Sequence, residues 1–191
     1  MEFWFTPWVW WDFRVAVLLT VVVPLGLLLW AGLSRNQPVW ELLRIYWQVS
    51  SLLAITVYLM IGGLPIGFLT GPAARALIPM ALWFWPVLSL QIAEDPGWLS
   101  RVFLGWRWLL SVYMAVGFLF SLAFAPCAFQ QPISPACQVW WQPPLGFKEI
   151  FHPGIPREGL GMVGVVGLLI YGLVAAWYGW QYRQAQGRQD L

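Results

Sequence analysis

Residues 15–33 read VAVLLTVVVPLGLLLWAGL, and Thr20 is the only polar side chain among them. A hydrocarbon core about 30 Å thick is crossed by about 20 helical residues rising about 1.5 Å each. Lipid offers the backbone no hydrogen-bond partners, so a run of this kind reads as a membrane-crossing helix. Working outward, four more stretches share the character: 49–69, 77–90, 102–125 and 161–180. The 191 residues are 60% hydrophobic and 9% charged, with a mean hydropathy of +0.69. The expected fold is all-α: a polytopic transmembrane helix bundle forming one membrane domain over 1–191. Its five spans fall near 13–33, 45–66, 76–92, 107–125 and 161–180, with one outer loop over 126–159.

Local signals place the interruptions. Pro24 should kink the first span, because it lacks an N–H and crowds the preceding turn. Gly62-Gly63-Leu64-Pro65 should break the second. Pro79 and Pro86 make the third the shortest, and Glu94-Asp95-Pro96-Gly97 closes it as a turn. Trp98 to Arg107 reads as an interfacial stretch leading into the fourth. The outer loop holds seven prolines, both cysteines, the only histidine and the only lysine. It is expected to be ordered by its aromatics rather than by long helices. No basic n-region precedes the first apolar run, so the first helix is expected to stay as an anchor.

Cys127 and Cys137 read as a disulfide staple, worth about 2.5–3 kcal/mol on the chain-entropy model. Free buried thiols and redox exchange are the alternatives, and the second lacks Cys-x-x-Cys spacing. With the N-terminus outside and the C-terminus cytoplasmic, Arg35, Arg44, Arg101, Arg107, Arg183 and Arg188 fall inside. Arg14, Arg75, Lys148 and Arg157 then fall outside, a basic bias of the expected sign. That orientation also puts both cysteines in the compartment where disulfides persist. The sixteen tryptophans gather near span ends, as Trp4, Trp8, Trp10 and Trp11, then Trp106 and Trp108, then Trp177 and Trp180. They suit an aromatic belt at the headgroups, with pigment or quinone contact as the alternative.

Two helix faces stand out. Arg44, Gln48, Ser51 and Tyr58 share a row with Gly62 at helical spacing, a polar intramembrane face suited to helix contact or a solute pathway. A weaker counterpart runs through Arg107, Ser111, Met114 and Ser121, where Arg44 and Arg107 are expected to snorkel to the headgroups. No buried acidic group is expected to carry protons or hold a cation. In the fifth span Gly161, Gly164, Gly172, Ala175, Ala176 and Gly179 form a small-residue face of the kind that lets helix backbones approach. His152 reads as a surface or interface residue, since a lone histidine makes a poor metal site. No nucleotide-binding, hydrolase or zinc-protease motif is present, and the acidic residues are sparse. The chain is therefore expected to have no catalytic or metal residues, no enzyme activity and no nucleic-acid partner. Nor is a cofactor expected, with chlorophyll or carotenoid as the alternative.

Several strings carry a family resemblance: Phe3-Trp4…Pro7…Trp11…Phe13-Arg14, Leu52-Leu53-Ala54-Ile55-Thr56-Val57-Tyr58-Leu59-Met60-Ile61, and Phe68-Leu69-Thr70-Gly71. Trp106-Arg107-Trp108, Cys127…Cys137-Gln138-Val139-Trp140 and Gly164-Val165-Val166-Gly167-Leu168 extend it over nearly the whole chain. On these strings the chain resembles a family of small multi-span membrane proteins of unknown function from cyanobacteria. The resemblance implies an oxygenic phototroph, a thylakoid or plasma membrane, and a photosynthetic complex as neighbour. Besides the lipid bilayer, the expected partner is such a complex. The expected role is a non-enzymatic accessory protein in its assembly or stability, and the alternative is a small transporter or channel component.

Overall fold

The computed structural model describes residues 3–187, all in helices, turns and short connections. Helix α1 runs over Thr6–Ser34 and α2 over Gln37–Ile61. A bent pair follows, α3 over Gly67–Trp83 and α4 over Pro86–Glu94, at 63° to each other. Helix α5 spans Trp98–Leu122. After short turns, α6 covers Gln142–Phe151 and α7 covers Arg157–Gly187. Four helices are long and apolar enough to cross a membrane, and counting the bent pair as one span makes five. The protein is an integral membrane helix bundle.

The helices outrun the apolar runs. Helix α1 begins seven residues before the expected 13, α3 nine before 76, and α5 takes in the whole stretch read as interfacial. The reason is that Asp12, Arg75 and Arg107 interrupt the hydropathy without interrupting the helix. Helix α2 starts earlier too, because the Asn36 side chain accepts from the Val39 N–H at 3.2 Å and caps it. It ends at Gly62-Gly63, where Leu64 N–H reaches Leu59 O and Gly63 N–H reaches Met60 O. That pairing needs a left-handed residue, and Gly63 supplies φ of +69°.

Pro24 acts one turn upstream of itself. Residues Leu18–Val22 widen into a π-turn, and the missing proline N–H leaves the carbonyls of Leu19 and Thr20 without helical donors. Two neighbouring helices supply them. Tyr46 Oη donates to Thr20 O at 2.7 Å, and Trp106 Nε1 donates to Leu19 O at 2.9 Å. The two rings stand edge to face, 5.2 Å apart. Trp106 is thus a core residue at 4% exposure rather than part of a headgroup belt, whereas Trp4, Trp8, Trp11, Trp108, Trp177 and Trp180 are exposed.

The disulfide between Cys127 and Cys137 is formed, with Cα atoms 5.9 Å apart. Both cysteines are buried with Phe5, Val9, Met60, Phe68 and Trp140 at one end of the bundle. Across the opposite end, Asp95 Oδ2 accepts from Asn36 Nδ2 at 2.8 Å and from Ser100 Oγ at 2.5 Å, while its Oδ1 accepts from Gly97 N–H at 3.0 Å. One carboxylate ties the α1–α2 turn to the α4–α5 turn.

Candidate functional site

Charges inside a bilayer are costly and point to the part of a bundle where something is held. The spans contain two such places, and neither was expected from the sequence. Arg75 on α3 donates two parallel hydrogen bonds to the Asp12 carboxylate on α1. Their side chains are 9% and 16% exposed. Tyr113 on α5 donates to Asp12 Oδ1 and to its main-chain carbonyl, each at 2.7 Å, and the Arg75 guanidinium lies 5.8 Å from the Tyr113 ring centre. Gly117, one turn further along α5, is what admits the guanidinium: a β-carbon there would lie 1.6 Å from Arg75 Nη1. Planar two-point pairing neutralises both charges and fixes their geometry. The cluster bolts α1, α3 and α5 together.

Arg75 is eight residues from the start of α3, so it sits about 12 Å along that helix. It is therefore a buried residue inside the helix and not a cation at the outer end of the third span. Asp12 is half-buried, an acidic group inside the bundle whose carboxylate is taken up by Arg75 and Tyr113. Opposite charges on different helices carry no local signal, so only the fold brings these residues together.

The second place is Arg107 on α5, 1% exposed rather than snorkelling to the headgroups. Its guanidinium carbon lies 3.8 Å from the Trp83 ring centre, and Nη2 donates to Ser89 Oγ at 2.9 Å. Trp83 Nε1 donates in turn to Ser111 Oγ at 2.9 Å. Trp83 closes α3 and Ser89 lies in α4, so Arg107 fills the elbow of the bent pair. A desolvated guanidinium on indole is worth about 2 kcal/mol. Its Nε has no partner among the described residues.

The expected polar face of α2 divides. Tyr58 Oη lies 3.1 Å from His152 Nε2, which docks the end of α6 onto α2. Arg44 and Gln48 are exposed, and the half-buried Ser51 donates to Gln48 O at 2.6 Å. Glycines set the packing of α7 on the same row of α2. A β-carbon on Gly161 would lie 2.9 Å from Gly62 Cα, one on Gly164 2.8 Å from Leu59 N, and one on Gly167 3.1 Å from Ile55 Cγ1. Beyond Gly167 the helices part. A β-carbon on Gly172 or Gly179 would meet nothing within 4 Å, and Ala175 and Ala176 are exposed. The small-residue face is thus used inside the chain at Gly161 and Gly164 and open at Gly172, Ala175, Ala176 and Gly179. Arg44, Gln48 and Ser51 continue the row that α7 leaves. Arg188, counted among the inner basic residues, lies outside the described residues.

Residues 6–190 match the family described as a protein of unknown function, DUF3177. The chain belongs to that family. No curated protein and no solved structure matches the chain. The family description assigns no activity.

Proposed function

We propose that this DUF3177 protein is a non-enzymatic membrane accessory protein that assists assembly or stability of a photosynthetic membrane complex. It would sit in a thylakoid or plasma membrane with the N-terminus outside and the C-terminus cytoplasmic. The observation that carries the reading is the divided α7. Its first half is spent on backbone-close contact with α2, while its second half presents Gly172, Ala175, Ala176 and Gly179 with no neighbour. Between helices in lipid no hydrophobic effect operates, and close approach through small residues is a main source of association. An open small-residue face next to a used one therefore suits a helix of another subunit. The photosynthetic setting comes from the resemblance to the cyanobacterial family.

The test compares two substitutions on one helix. Gly164→Leu collides with the α2 backbone inside the chain and should destabilise the protein itself. Gly172→Leu leaves the fold untouched but holds off a partner helix, an overpacking penalty on the order of 1–3 kcal/mol. That corresponds to association weakened roughly five- to 150-fold. The expected outcome is an inserted, stable Gly172→Leu protein that no longer co-migrates with a photosynthetic complex on a native gel. Unchanged co-migration, or a wild-type chain that never co-migrates, would hand the case to the transporter reading. Orientation is checked separately: a reporter active only in the cytoplasm should work when fused after Leu191 and stay silent beside Lys148.

A further inference from the structure

Helix α6 is placed by the spans it touches. Trp10 Nε1 on α1 donates to Gln142 Oε1 at 3.4 Å, and a β-carbon on Gly146 would lie 2.9 Å from the Trp10 ring. At the other end of α6, His152 meets Tyr58 on α2. Helices α1 and α2 run antiparallel and Tyr46 meets Thr20, so Tyr58, three turns further along α2, stands near the level of Trp8. Trp10 is only about 3 Å along α1 from that level. The two ends of α6 thus touch the bundle at nearly one height, although the helix is about 15 Å long. It lies across α1 and α2 and not along them. Its height follows from α7. A β-carbon on Gly164 would lie 3.1 Å from the Tyr58 carbonyl carbon, so the two residues share a level. Glu158 and Arg183 are the charges that bound the apolar part of α7, about 37 Å apart along the helix. A hydrocarbon core about 30 Å thick, centred between them, starts about 4 Å inward of Glu158. Gly164 is about 9 Å inward, which puts the Tyr58–His152 contact about 5 Å inside the edge of the core.

The side chains suit that depth, which is where amphipathic helices rest in a membrane boundary. Phe147 faces the bundle, its ring 6.5 Å from that of Phe13. Successive residues turn by about 100°, so Lys148 and Ile150 stand about 160° apart on the two flanks, and Glu149 points away from the bundle. Ile150 is 75% exposed and Phe151, at the helix end, 63%. With α6 lying flat, one flank meets water and the other the hydrocarbon, and the charge of Lys148 decides which is wet. We infer that α6 and the turn after it form an interfacial helix in the leaflet on the disulfide side, with Ile150 and Phe151 among the acyl chains. Lys148 and Glu149 stay at headgroup level. The apolar surface continues onto α7, where Met162 and Val163 are exposed at the same height. Lys148 and Glu149 are opposite in sign, so the surface fits the acyl layer itself and selects no headgroup charge. The segment 126–159 is then not wholly a loop outside the membrane.

The experiment uses the full chain in phosphatidylcholine vesicles, with a nitroxide on one introduced thiol at a time. Ile150→Cys and Phe151→Cys report on α6. Two exposed positions of α7 bracket the scale: Glu158→Cys at the wet end and Leu169→Cys in mid-span. Power saturation compares collisions with oxygen, which concentrates in hydrocarbon, and with a neutral nickel chelate, which concentrates in water. The labels at 150 and 151 should collide more with oxygen than with the chelate, as at 169, and the label at 158 should show the reverse. All four side chains are exposed, and incorporation of one nitroxide per chain shows that the Cys127–Cys137 bond and the fold around it persist. A chelate excess at 150 and 151 would place α6 in water and overturn the proposal. So would few collisions with either reagent, because protein and not lipid, such as a second copy of the chain, would then cover α6. None of these readings depends on a photosynthetic partner or on which side the N-terminus faces, so the interfacial helix and the accessory role stand or fall separately.

Discussion

Replacing Arg75 by methionine is the sharpest perturbation of the bundle. The change keeps an unbranched apolar stem and removes the guanidinium. Asp12, 16% exposed, then keeps only the Tyr113 hydroxyl as a donor to its carboxylate. Removing one partner of a buried pair costs about 3–5 kcal/mol, because the other charge stays desolvated. Asp12→Leu alone should cost a similar amount by stranding Arg75 between α3 and α5. The double variant removes both charges, and Tyr113 still has the main-chain carbonyl of residue 12, which it already reaches at 2.7 Å. It should therefore recover most of the loss, giving a coupling on the order of 5 kcal/mol. Reversible unfolding of the four proteins in mixed micelles, followed by circular dichroism, measures it. Single-variant costs that simply add, within about 0.5 kcal/mol, would refute the pairing.

Three further outcomes follow from the same contacts. Gly117→Ala should push the Arg75 guanidinium off Asp12 and destabilise the protein, yet be nearly silent in the Arg75→Met background; unfolding midpoints compare the two. Tyr46→Phe leaves the Thr20 carbonyl without its donor and should cost about 1–3 kcal/mol. That cost should shrink when Pro24→Ala restores a helical N–H, as a double-mutant cycle would register. The Asp95 carboxyl, in the α4–α5 turn, is held below its ordinary value of 3.8 first by the Ser100 hydroxyl and then by the Gly97 N–H. A depressed carboxyl contributes stability that is present above its unfolded value and lost as pH falls through the folded one. The thermal midpoint should therefore drop in acid below 3.8 and show a smaller acid-limb drop in Asp95→Asn.

What the sequence makes legible is the apolar part of this problem. Long runs such as 15–33 require helices, and Gly62-Gly63, Pro24 and Glu94-Asp95-Pro96-Gly97 each mark a break through local chemistry. The charged residues mislead for one reason. Hydropathy treats Asp12, Arg75 and Arg107 as span ends, because a charge in lipid is costly when considered alone. Whether it has a partner is decided by helices more than fifty residues apart, as with Asp12 and Arg75, 63 residues apart. The Tyr46 and Trp106 donors are hidden in the same way: Pro24 announces orphaned carbonyls, but not which side chains will satisfy them. The glycines of α7 show a related limit. Spacing identifies a contact face, and only the fold divides it into a half pressed on α2 and a half left open.

That division gives the molecule its logic. At the π-turn, at the Asp12–Arg75 pair and at the Arg107 elbow, polar groups that lipid cannot satisfy are matched by other helices of the same chain. These contacts fix α1 to α5 against one another. Helix α7 is different: it is attached by glycine contacts over its first three turns and then runs on with Leu169, Ile170, Leu173, Val174 and Trp177 exposed. A rigid body carrying one projecting helix can present that helix at a fixed angle, whereas a pathway for solutes would need the polar groups of the body to be free. Here the central pair is saturated by its own hydrogen bonds, and Arg44 and Gln48, exposed on the row of α2 that α7 leaves, border α7. Function at the α2–α7 margin follows, and the Gly172 substitution is aimed there.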